Sequence, residues 1–422
     1  MSVAVVMQVM NKGMADAPLN VDPDVSYWKR SFQRVSAHGM VAETWRVNSF
    51  GYGKEFNCEL KTHCDLIQDS WMTLDIAPVR LKNPGKYDTV HFSNSLGHAL
   101  LSRVHFTCGH LTINTMDGRY LEIKDQFSAD GNKDMDETVL RSRSKKQLIH
   151  WAYHGNAMDR DEQRVIRLYI HLPFYFTMVR SQAFPACALH YGGLRVHGEF
   201  RKLRDLLVFS NPNNTELDPE FNGQILQAGV LLNTVYLNEM ERTLFCVNTH
   251  EYVIRDLHIS EFNTKPRGAP RLSVKIEDFL HPTTALYFTM QRNSCIEQND
   301  YFNFERTPGL GDDPFLRVGI KLGVNQREEP IDPIYYKKLL ASKYWSRTPD
   351  LNVYGYNFAQ FPLEWFPSGE CNFSKIEGVT FDFTLPRTDA NGDPFEEAEV
   401  VAYAEHFNFL KFSYGQIHRR FA

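Results

Sequence analysis

The sequence predicts an all-β protein built from two antiparallel sandwiches in tandem. Apolar and polar residues alternate with a period of two in many short segments, as half-buried strands require because successive side chains point to opposite faces. Turn-forming residues separate these segments, and aromatic residues, which favour strands, make up 13% of the chain. A chain of 422 residues is longer than one hydrophobic core usually spans, so two domains are expected.

The clearest alternation predicts strands in both halves of the chain. These strands lie at residues 55–61, 166–172, 271–277 and 379–385. In the last of them, Val379, Phe381, Phe383 and Leu385 alternate with polar residues and are expected on the buried face. Many short strands with such spacing predict a sandwich or a jelly roll.

Helical patterns are scarce, and two short helices are expected as insertions in loops. The first is predicted within residues 134–152, and the second within 331–342, where Asp332 is the expected N-cap and Pro333 the first helical residue. The dipeptide Asp117-Gly118 predicts a turn. Residues 1–24 show little pattern and are expected to form an N-terminal arm that becomes ordered only in an assembly.

A polar segment at residues 238–243 separates two apolar, strand-like runs and predicts the domain boundary. One domain would then span residues 25–240 and the other 245–422. The halves share a similar length and β character but no motif, so a duplicated fold is indicated by length and strand number alone.

Composition narrows the classes of function. The net charge of −5 and the absence of a basic stripe argue against direct nucleic-acid binding, and the basic runs at 141–146 and 418–420 are expected to be solvated. Seven cysteines, an odd number without any Cys-x-x-Cys pair, indicate free thiols in a reducing compartment. The chain has no apolar run of about 18 residues and no basic signal-peptide start, which predicts synthesis and folding in the cytosol.

The most specific motif is a turn that leads into the strand at 379–385. Its residues are Pro367, Ser368, Gly369, Cys371, Asn372, Phe373 and Ser374. This unit resembles a segment near the C-terminal end of the major capsid proteins of nucleocytoplasmic large DNA viruses, such as iridoviruses and phycodnaviruses. Further segments that resemble the family occur earlier in the chain and in the family's order, at residues 51–54, 65–67, 167–176, 184–191, 250–254, 281–283 and 353–359.

The resemblance implies two tandem eight-stranded antiparallel jelly rolls with short helices in loop insertions. It implies a homotrimer of pseudo-sixfold outline that tiles an icosahedral shell in the virion after assembly in the host cytoplasm. Neighbouring capsomers, minor capsid or cement proteins and penton proteins are the implied partners, and the N-terminal arm is a candidate for contact with an inner viral membrane. Trp345, Trp365 and Phe366 are expected as anchors between copies.

The sequence also departs from the family pattern at residues 190–193 and 407–417. These departures suggest a distant member and leave open whether the chain is the principal shell protein or a minor capsid paralogue. A jelly-roll carbohydrate-binding module or metal-dependent enzyme is the other alternative, because a fold does not fix a function.

No catalytic, cofactor or metal site is predicted. His105, Cys108 and His110 lack the His-x-His spacing of metal-binding jelly rolls and are expected to be structural. Residues 130–136 carry oxygen ligands at alternate positions, but Met135 and Arg141 occupy positions where a calcium loop needs Gly and Glu. Two glycosylation sequons occur; Asn213 is the candidate acceptor, and Asn372 is expected to be unmodified.

Overall fold

A computed structural model describes residues 36–60, 63–83, 85, 88–128, 135–141, 165–190, 192–264, 270–307, 309–388, 392 and 396–421. The predicted arm at 1–24 lies outside these residues. From Gly39 onward the chain forms one compact unit.

The N-terminal half contains two four-stranded antiparallel sheets, ordered β1-β12-β3-β8 and β2-β9-β6-β7, and two small two-stranded sheets, β4-β11 and β5-β10. Its strands are β1 His38–Arg46, β2 Glu55–Leu60, β3 Leu66–Ile76, β4 Val79–Leu81, β5 Val90–Phe92, β6 Leu101–Cys108, β7 Leu111–Asp117, β8 Ile166–His171, β9 Leu194–Phe200, β10 Leu207–Phe209, β11 Leu217–Asn222 and β12 Ile225–Leu237.

The C-terminal half repeats this plan with a six-stranded sheet and a four-stranded sheet. The larger has the order β13-β21-β15-β18, with β19 added to β15 and β22 to β21, and the smaller has the order β14-β20-β16-β17. The strands are β13 His250–Thr264, β14 Arg271–Ile276, β15 Pro282–Arg292, β16 Arg317–Leu322, β17 Asn325–Ile331, β18 Tyr354–Asn357, β19 Cys371–Asn372, β20 Val379–Thr384, β21 Ala398–Ser413 and β22 Gln416–Arg419.

Two paired sheets in each half make the chain a double jelly roll, as predicted. The four strands expected from alternation correspond to β2, β8, β14 and β20. In β20, Val379, Phe381 and Phe383 are buried and alternate with partly exposed residues. Apolar residues from both halves form one contiguous core, because each sheet turns one face of this alternation inward.

Short helices occupy the connections between strands. They are α1 Leu96–Leu100, α2 Gly118–Ser128, α3 Asp136–Val139, α4 Glu239–Val247, α5 Asn293–Glu297 and α6 Leu340–Tyr344, the last preceded by a π-helical turn at Tyr335–Leu339. Single 3₁₀ turns lie at Tyr175–Thr177, Arg180–Gln182, Ala186–Ala188, Leu203–Leu206 and Phe373–Lys375. No helix in the described ranges is long and apolar enough to cross a membrane.

The second predicted helix is confirmed, and within the described part of the first region, residues 135–141, a one-turn helix is present. Asp332 Oδ1 accepts a hydrogen bond from the Ile334 amide at 3.0 Å, so Asp332 caps the helical segment as expected. In the first region, α3 forms only one turn and ends where Leu140 takes a left-handed conformation, with φ of 56°. Residues 142–152 lie outside the described ranges.

The predicted turn at Asp117-Gly118 is wrong, because Asp117 ends β7 and Gly118 starts α2 directly. Asp117 Oδ1 accepts a hydrogen bond from the Tyr120 amide at 2.7 Å and so satisfies a free donor of the first turn. The absence of a side chain at Gly118 lets the chain pass close to α1, since a Cβ there would lie 2.0 Å from the His98 carbonyl oxygen. The sequence therefore needs glycine for close approach at this position.

Helix α2 lies at the junction of the two halves. Tyr120 donates a hydrogen bond to Glu405 Oε1 at 2.6 Å, and Lys124 Nζ lies 2.5 Å from the same oxygen. At the end of the helix, Phe127 packs against Trp345 with ring centroids 5.1 Å apart. Because these groups are buried or nearly so, the contacts hold the two sandwiches in a defined relation.

Candidate functional site

The motif at residues 367–374, called the capsid motif below, lies at the edge of the larger C-terminal sheet. Its β19 pairs with the start of β15, where Cys371 lies opposite Thr283 and Asn372 opposite Pro282. The Asn372 side chain then accepts a hydrogen bond from the Ser374 amide at 3.0 Å and starts a 3₁₀ turn. The motif therefore ends a loop and feeds the chain into β20.

The first residues of the motif close that loop. Ser368 Oγ accepts a hydrogen bond from the Phe361 amide at 2.9 Å, and the Ser368 carbonyl accepts one from the Gln360 amide at 3.0 Å. Gly369 has a φ of 133°, and a Cβ there would lie 2.9 Å from the Phe358 carbonyl oxygen. Both the dihedral angle and the space require glycine at this position.

Phe373 anchors the motif in the core. Its side chain is 1% exposed and packs parallel to Phe279 at a centroid distance of 6.3 Å. The ring of Phe358 meets it edge-on at 5.6 Å. The motif is therefore held by aromatic packing beneath it and by backbone hydrogen bonds along its edge.

The same motif fixes the backbone of His281, in the loop before β15. Ser374 Oγ accepts a hydrogen bond from the His281 amide at 3.0 Å, and the His281 carbonyl accepts one from the Phe373 amide at 3.1 Å. His281 is held in a left-handed conformation with φ of 69°, which is uncommon for a residue other than glycine. The two hydrogen bonds offset this strain and set the direction of the imidazole.

His281 belongs to a cluster with His258 and His406, called the histidine cluster below. One ring nitrogen from each lies within 4.8 Å of the others, and the rings of His258 and His406 are 4.2 Å apart between centroids. Burial, followed by repulsion from neighbouring cationic groups, lowers the pKa of His258 to about 4 and that of His406 to about 2. The imidazoles of His258 and His406 are therefore uncharged at neutral pH.

The loop that precedes the motif exposes aromatic side chains. Phe361, Trp365 and Phe366, called the aromatic patch below, are 51%, 37% and 38% exposed and contact one another at 6.3 and 6.1 Å between centroids. The Arg255 guanidinium donates hydrogen bonds to the carbonyl oxygens of Pro362 and Glu364 in this loop. The patch is therefore an apolar surface on a pinned loop.

The prediction that Trp345 anchors contacts between copies is wrong. Trp345 is only 6% exposed and packs inside the chain against Phe127, where its Nε1 donates a hydrogen bond to the Tyr287 hydroxyl at 3.1 Å. Trp365 and Phe366 retain the exposure that such a role requires, so that part of the hypothesis stays a prediction.

Helix α4 presents a second exposed apolar surface. Met240, Leu244 and Val247 are 79%, 54% and 77% exposed and lie at the spacing of one helix face. Asn238 caps the helix by accepting a hydrogen bond from the Glu241 amide at 2.9 Å. The segment predicted as a polar boundary is therefore a capped helix with an apolar outer face.

Histidines and cysteine at the β6–β7 turn do not converge. His105 Nδ1 is 2.9 Å from Thr115 Oγ1, and its ring stacks on His197 at 5.0 Å between centroids. Cys108 is buried while His110 is exposed. All seven cysteines are free, and burial raises the pKa of Cys58 to about 12.

The structure describes part of the loop at 130–136, which is not expected to be a calcium loop, and it places the candidate glycosylation acceptor Asn213. Of the loop at 130–136, Met135 and Asp136 are described, and Asp136 pairs with Arg141 at 3.1 Å. Asn213 lies exposed in a turn, with its amide donating a hydrogen bond to Asn211 Oδ1 at 3.0 Å. Its glycosylation stays a prediction.

A cleft of about 670 Å³ lies between the two halves, and an enzyme would be expected to bind its substrate in a cleft of this kind. Of the charged groups that line it, Glu122 and Arg141 form an ion pair at 2.9 Å, and His98 also contacts Glu122, at 2.7 Å. Burial opposes ionisation of Glu122, but the Arg141 guanidinium holds its pKa far below the ordinary value. Arg141 is thus buried and ion-paired, contrary to the prediction that its basic run is solvated.

Sequence reasoning missed the histidine cluster and the face of α4. The three histidines come from β13, β21 and the loop before β15, so no local spacing indicates them. Helix α4 did have a signal, since Asn238 followed by Glu241 has the Asn-x-x-Glu pattern of a capping box.

Comparison with known proteins gives matches along nearly the whole chain. The family described as "Major capsid protein N-terminus" matches residues 26–238, and that described as "Large eukaryotic DNA virus major capsid protein" matches residues 241–417. The major capsid protein of Phaeocystis pouchetii virus is 19% identical, with 97% of this chain and 98% of that protein covered.

Solved structures support the same fold. The quasi-atomic model of the PBCV-1 virus capsid aligns with a TM-score of 0.73 at 18% identity, covering 94% of this chain and 100% of that one. The Faustovirus major capsid protein aligns with a TM-score of 0.70 at 10% identity, covering 98% and 97%. At such low identity, these alignments establish the double jelly-roll fold.

Proposed function

The chain belongs to the family of large eukaryotic DNA virus major capsid proteins, and from this premise we propose that it is a structural tile of an icosahedral virus shell. Three copies form a capsomer whose six jelly rolls give a hexagonal outline, so one protein fills the hexagonal positions of the lattice. The observation that carries the proposal is the presence of two jelly rolls in one compact unit. The proposed domains are 25–240 and 245–422, preceded by the arm at 1–24.

The junction between the halves supports a role as a rigid tile. Besides the contacts of α2, Asn114 Nδ2 donates a hydrogen bond to the Arg255 carbonyl at 3.0 Å, and the Tyr403 hydroxyl donates one to Asp117 Oδ2 at 3.0 Å. Buried polar groups that satisfy one another disfavour alternative arrangements, since each would leave a group without a partner. A shell protein needs such rigidity because a small change of angle in each tile accumulates over the lattice.

The two exposed apolar surfaces are the proposed contacts between copies. The aromatic patch supplies Trp and Phe side chains of the kind that dominate binding energy at interfaces, and α4 adds an aliphatic face. We propose that a second copy of this chain covers these surfaces. An obligate interface between capsid subunits buries about 2,000–5,000 Å². Contacts between capsomers can then be weak individually and strong together through multivalency.

A structural role also fits the chemistry of the described residues. Glu122 and Arg141, two of the charged groups that line the interhalf cleft, form an ion pair with each other, and the capsid motif builds backbone geometry and core packing. The proposed working location is the virion capsid. Neighbouring capsomers, minor capsid or cement proteins and penton proteins are the proposed partners, with the arm at 1–24 as a candidate contact for an inner membrane.

The mass of the purified protein tests the proposal. Size-exclusion chromatography with light scattering should give about three times 48.9 kDa. Replacing Trp365 and Phe366 by Ser should weaken assembly by about 2 kcal/mol or more per interface, while Tyr414→Ser, at a side chain that is 97% exposed, serves as the control. A monomer at every concentration would contradict the capsomer model.

Copy number separates a principal shell protein from a minor paralogue. Quantitative gel electrophoresis of purified particles should show this chain as the most abundant protein. A copy number far below that of another capsid protein would instead identify it as a minor component of the same fold.

A further inference from the structure

We propose that the histidine cluster of His258, His281 and His406 is a binding site for a divalent transition-metal ion of the zinc type. The proposal concerns a site inside one sandwich and goes beyond the role of the chain as a shell tile. It rests on the convergence of three imidazoles and on the lack of a hydrogen-bond partner for the innermost one among the described residues.

Strand register brings the three side chains together. His406 on β21 lies opposite Asp256 on β13 and opposite Thr283 on β15, so these residues share one face of the sheet. His258 is two residues after Asp256 and therefore points to the same face. His281 lies two residues before Thr283 and is fixed by the capsid motif, which brings the third ring to the other two.

His406 lacks hydrogen bonds that a buried imidazole requires. Its side chain is 0% exposed, and neither Nδ1 nor Nε2 has a hydrogen-bond partner among the described residues. Asp256 Oδ2 lies 3.8 Å from Nε2, beyond hydrogen-bonding distance. A buried polar group without a partner is costly and commonly marks a bound ion or water, and two neighbouring imidazoles favour an ion.

The donors suit zinc better than magnesium or calcium. Imidazole nitrogen is a preferred ligand for Zn²⁺, Cu²⁺ and Ni²⁺, whereas Mg²⁺ and Ca²⁺ prefer oxygen. Zn–N bonds of about 2.0–2.1 Å place tetrahedral ligand nitrogens about 3.3 Å apart. The nitrogens here lie within 4.8 Å of one another, and the half-exposed rings of His258 and His281 can approach the buried ring of His406 by small side-chain rotations.

The surroundings define the other ligand positions. The Leu280 amide donates a hydrogen bond to His258 Nδ1 at 3.3 Å, so Nε2 carries the ring proton before metal binds. Ligation through Nε2 would move this proton to Nδ1 and open the hydrogen bond to Leu280. Asp256, now paired with Arg419, is positioned to supply a carboxylate oxygen, and a water molecule completes the coordination otherwise. Phe421 stacks on His281 with centroids 5.4 Å apart and shields that side of the site.

A bound ion would tie together β13, β21 and the loop before β15. These elements are otherwise joined by backbone hydrogen bonds and by the capsid motif. Metal binding to the folded state alone would therefore raise the stability of the C-terminal sandwich.

Metal titration of the full-length protein in its native assembly tests the inference. After removal of metals with a chelator, isothermal titration with Zn²⁺ should show one site per chain, Mg²⁺ should give no such binding, and Zn²⁺ should raise the thermal midpoint. Bound Co²⁺ should show the visible absorption of tetrahedral nitrogen and oxygen ligation, without the charge-transfer bands that thiolates would add.

Substitutions separate this site from adventitious binding. His258→Asn and His281→Asn, at half-exposed positions, should each weaken Zn²⁺ binding by more than about 100-fold, since losing even an outer-shell partner commonly costs 10–100-fold. His197→Asn, in the stacked pair with His105, should leave affinity unchanged. Absence of stoichiometric binding by folded protein, or an equal loss in all three variants, would overturn the proposal.

Discussion

Two phenylalanines seven positions apart should separate the folding role of the capsid motif from the proposed assembly role of the loop before it. Phe373 is 1% exposed and lies between Phe279 and Phe358, whereas Phe366 is 38% exposed on the aromatic patch. We expect Phe373→Ala to destabilise the folded chain and Phe366→Ala to weaken assembly with little effect on folding.

The magnitude follows from burial. Removing a fully buried Phe side chain costs about 3–5 kcal/mol, from lost transfer free energy and the cavity left behind. Such a loss is a large part of a total stability of about 5–15 kcal/mol. Phe366→Ala changes a surface side chain and should alter the free energy of unfolding by less than about 1 kcal/mol.

Urea denaturation followed by tryptophan fluorescence measures the effect on folding, and light scattering measures assembly. The denaturation should be repeated at several protein concentrations, because association adds to apparent stability. The reasoning is refuted if Phe373→Ala unfolds at the wild-type urea concentration. It is also refuted if Phe366→Ala lowers that concentration as much as Phe373→Ala does.

Three further predictions concern buried groups near the junction of the halves. The pKa of Glu122 is far below its ordinary value. Its ionised form therefore stabilises the fold above about pH 4.3, and this contribution is lost as the pH falls below that value. In Glu122→Gln the urea midpoint should consequently depend less on pH than in the wild type. Gly118→Ala should lower the free energy of unfolding by about 1–3 kcal/mol or more, because the added methyl group overpacks its site. Gly193→Ala should show no measurable loss of stability, since a Cβ there meets nothing within 4 Å. Thermal unfolding of both variants tests this prediction. Tyr120→Phe removes a buried hydrogen bond and should lower the free energy of unfolding, measured by denaturant, by about 1–3 kcal/mol. The loss in Tyr236→Phe should be smaller, because the Tyr236 hydroxyl bonds Glu43 at a half-buried position.

The strands were predictable because their signal is local. Alternation in β2, β8, β14 and β20 is set by the two faces of each strand, and a few consecutive residues are enough to record it. The capsid motif could be recognised for the same reason. Its glycine, Gly369, is required by the local φ, and its asparagine, Asn372, caps the turn that follows, so both depend only on a short segment.

Helix α2 was not predictable in the same way. Most of its residues are buried, including Arg119, Tyr120 and Glu122 on different sides, because it lies between two sandwiches. A helix buried on most sides lacks the single apolar stripe from which helices are recognised. The prediction for Trp345 was wrong for a related reason. The aromatic character of a residue does not show whether another element, here α2, covers it.

The sequence by itself determined the all-β class, the tandem organisation and the family, because strand alternation, turn residues and a compact motif are written in neighbouring positions. Tertiary structure alone decided which aromatic residues face outward, how α2 joins the halves, and that His258, His281 and His406 meet. These features depend on the register of strands distant along the chain, and that register is fixed by packing of the whole molecule.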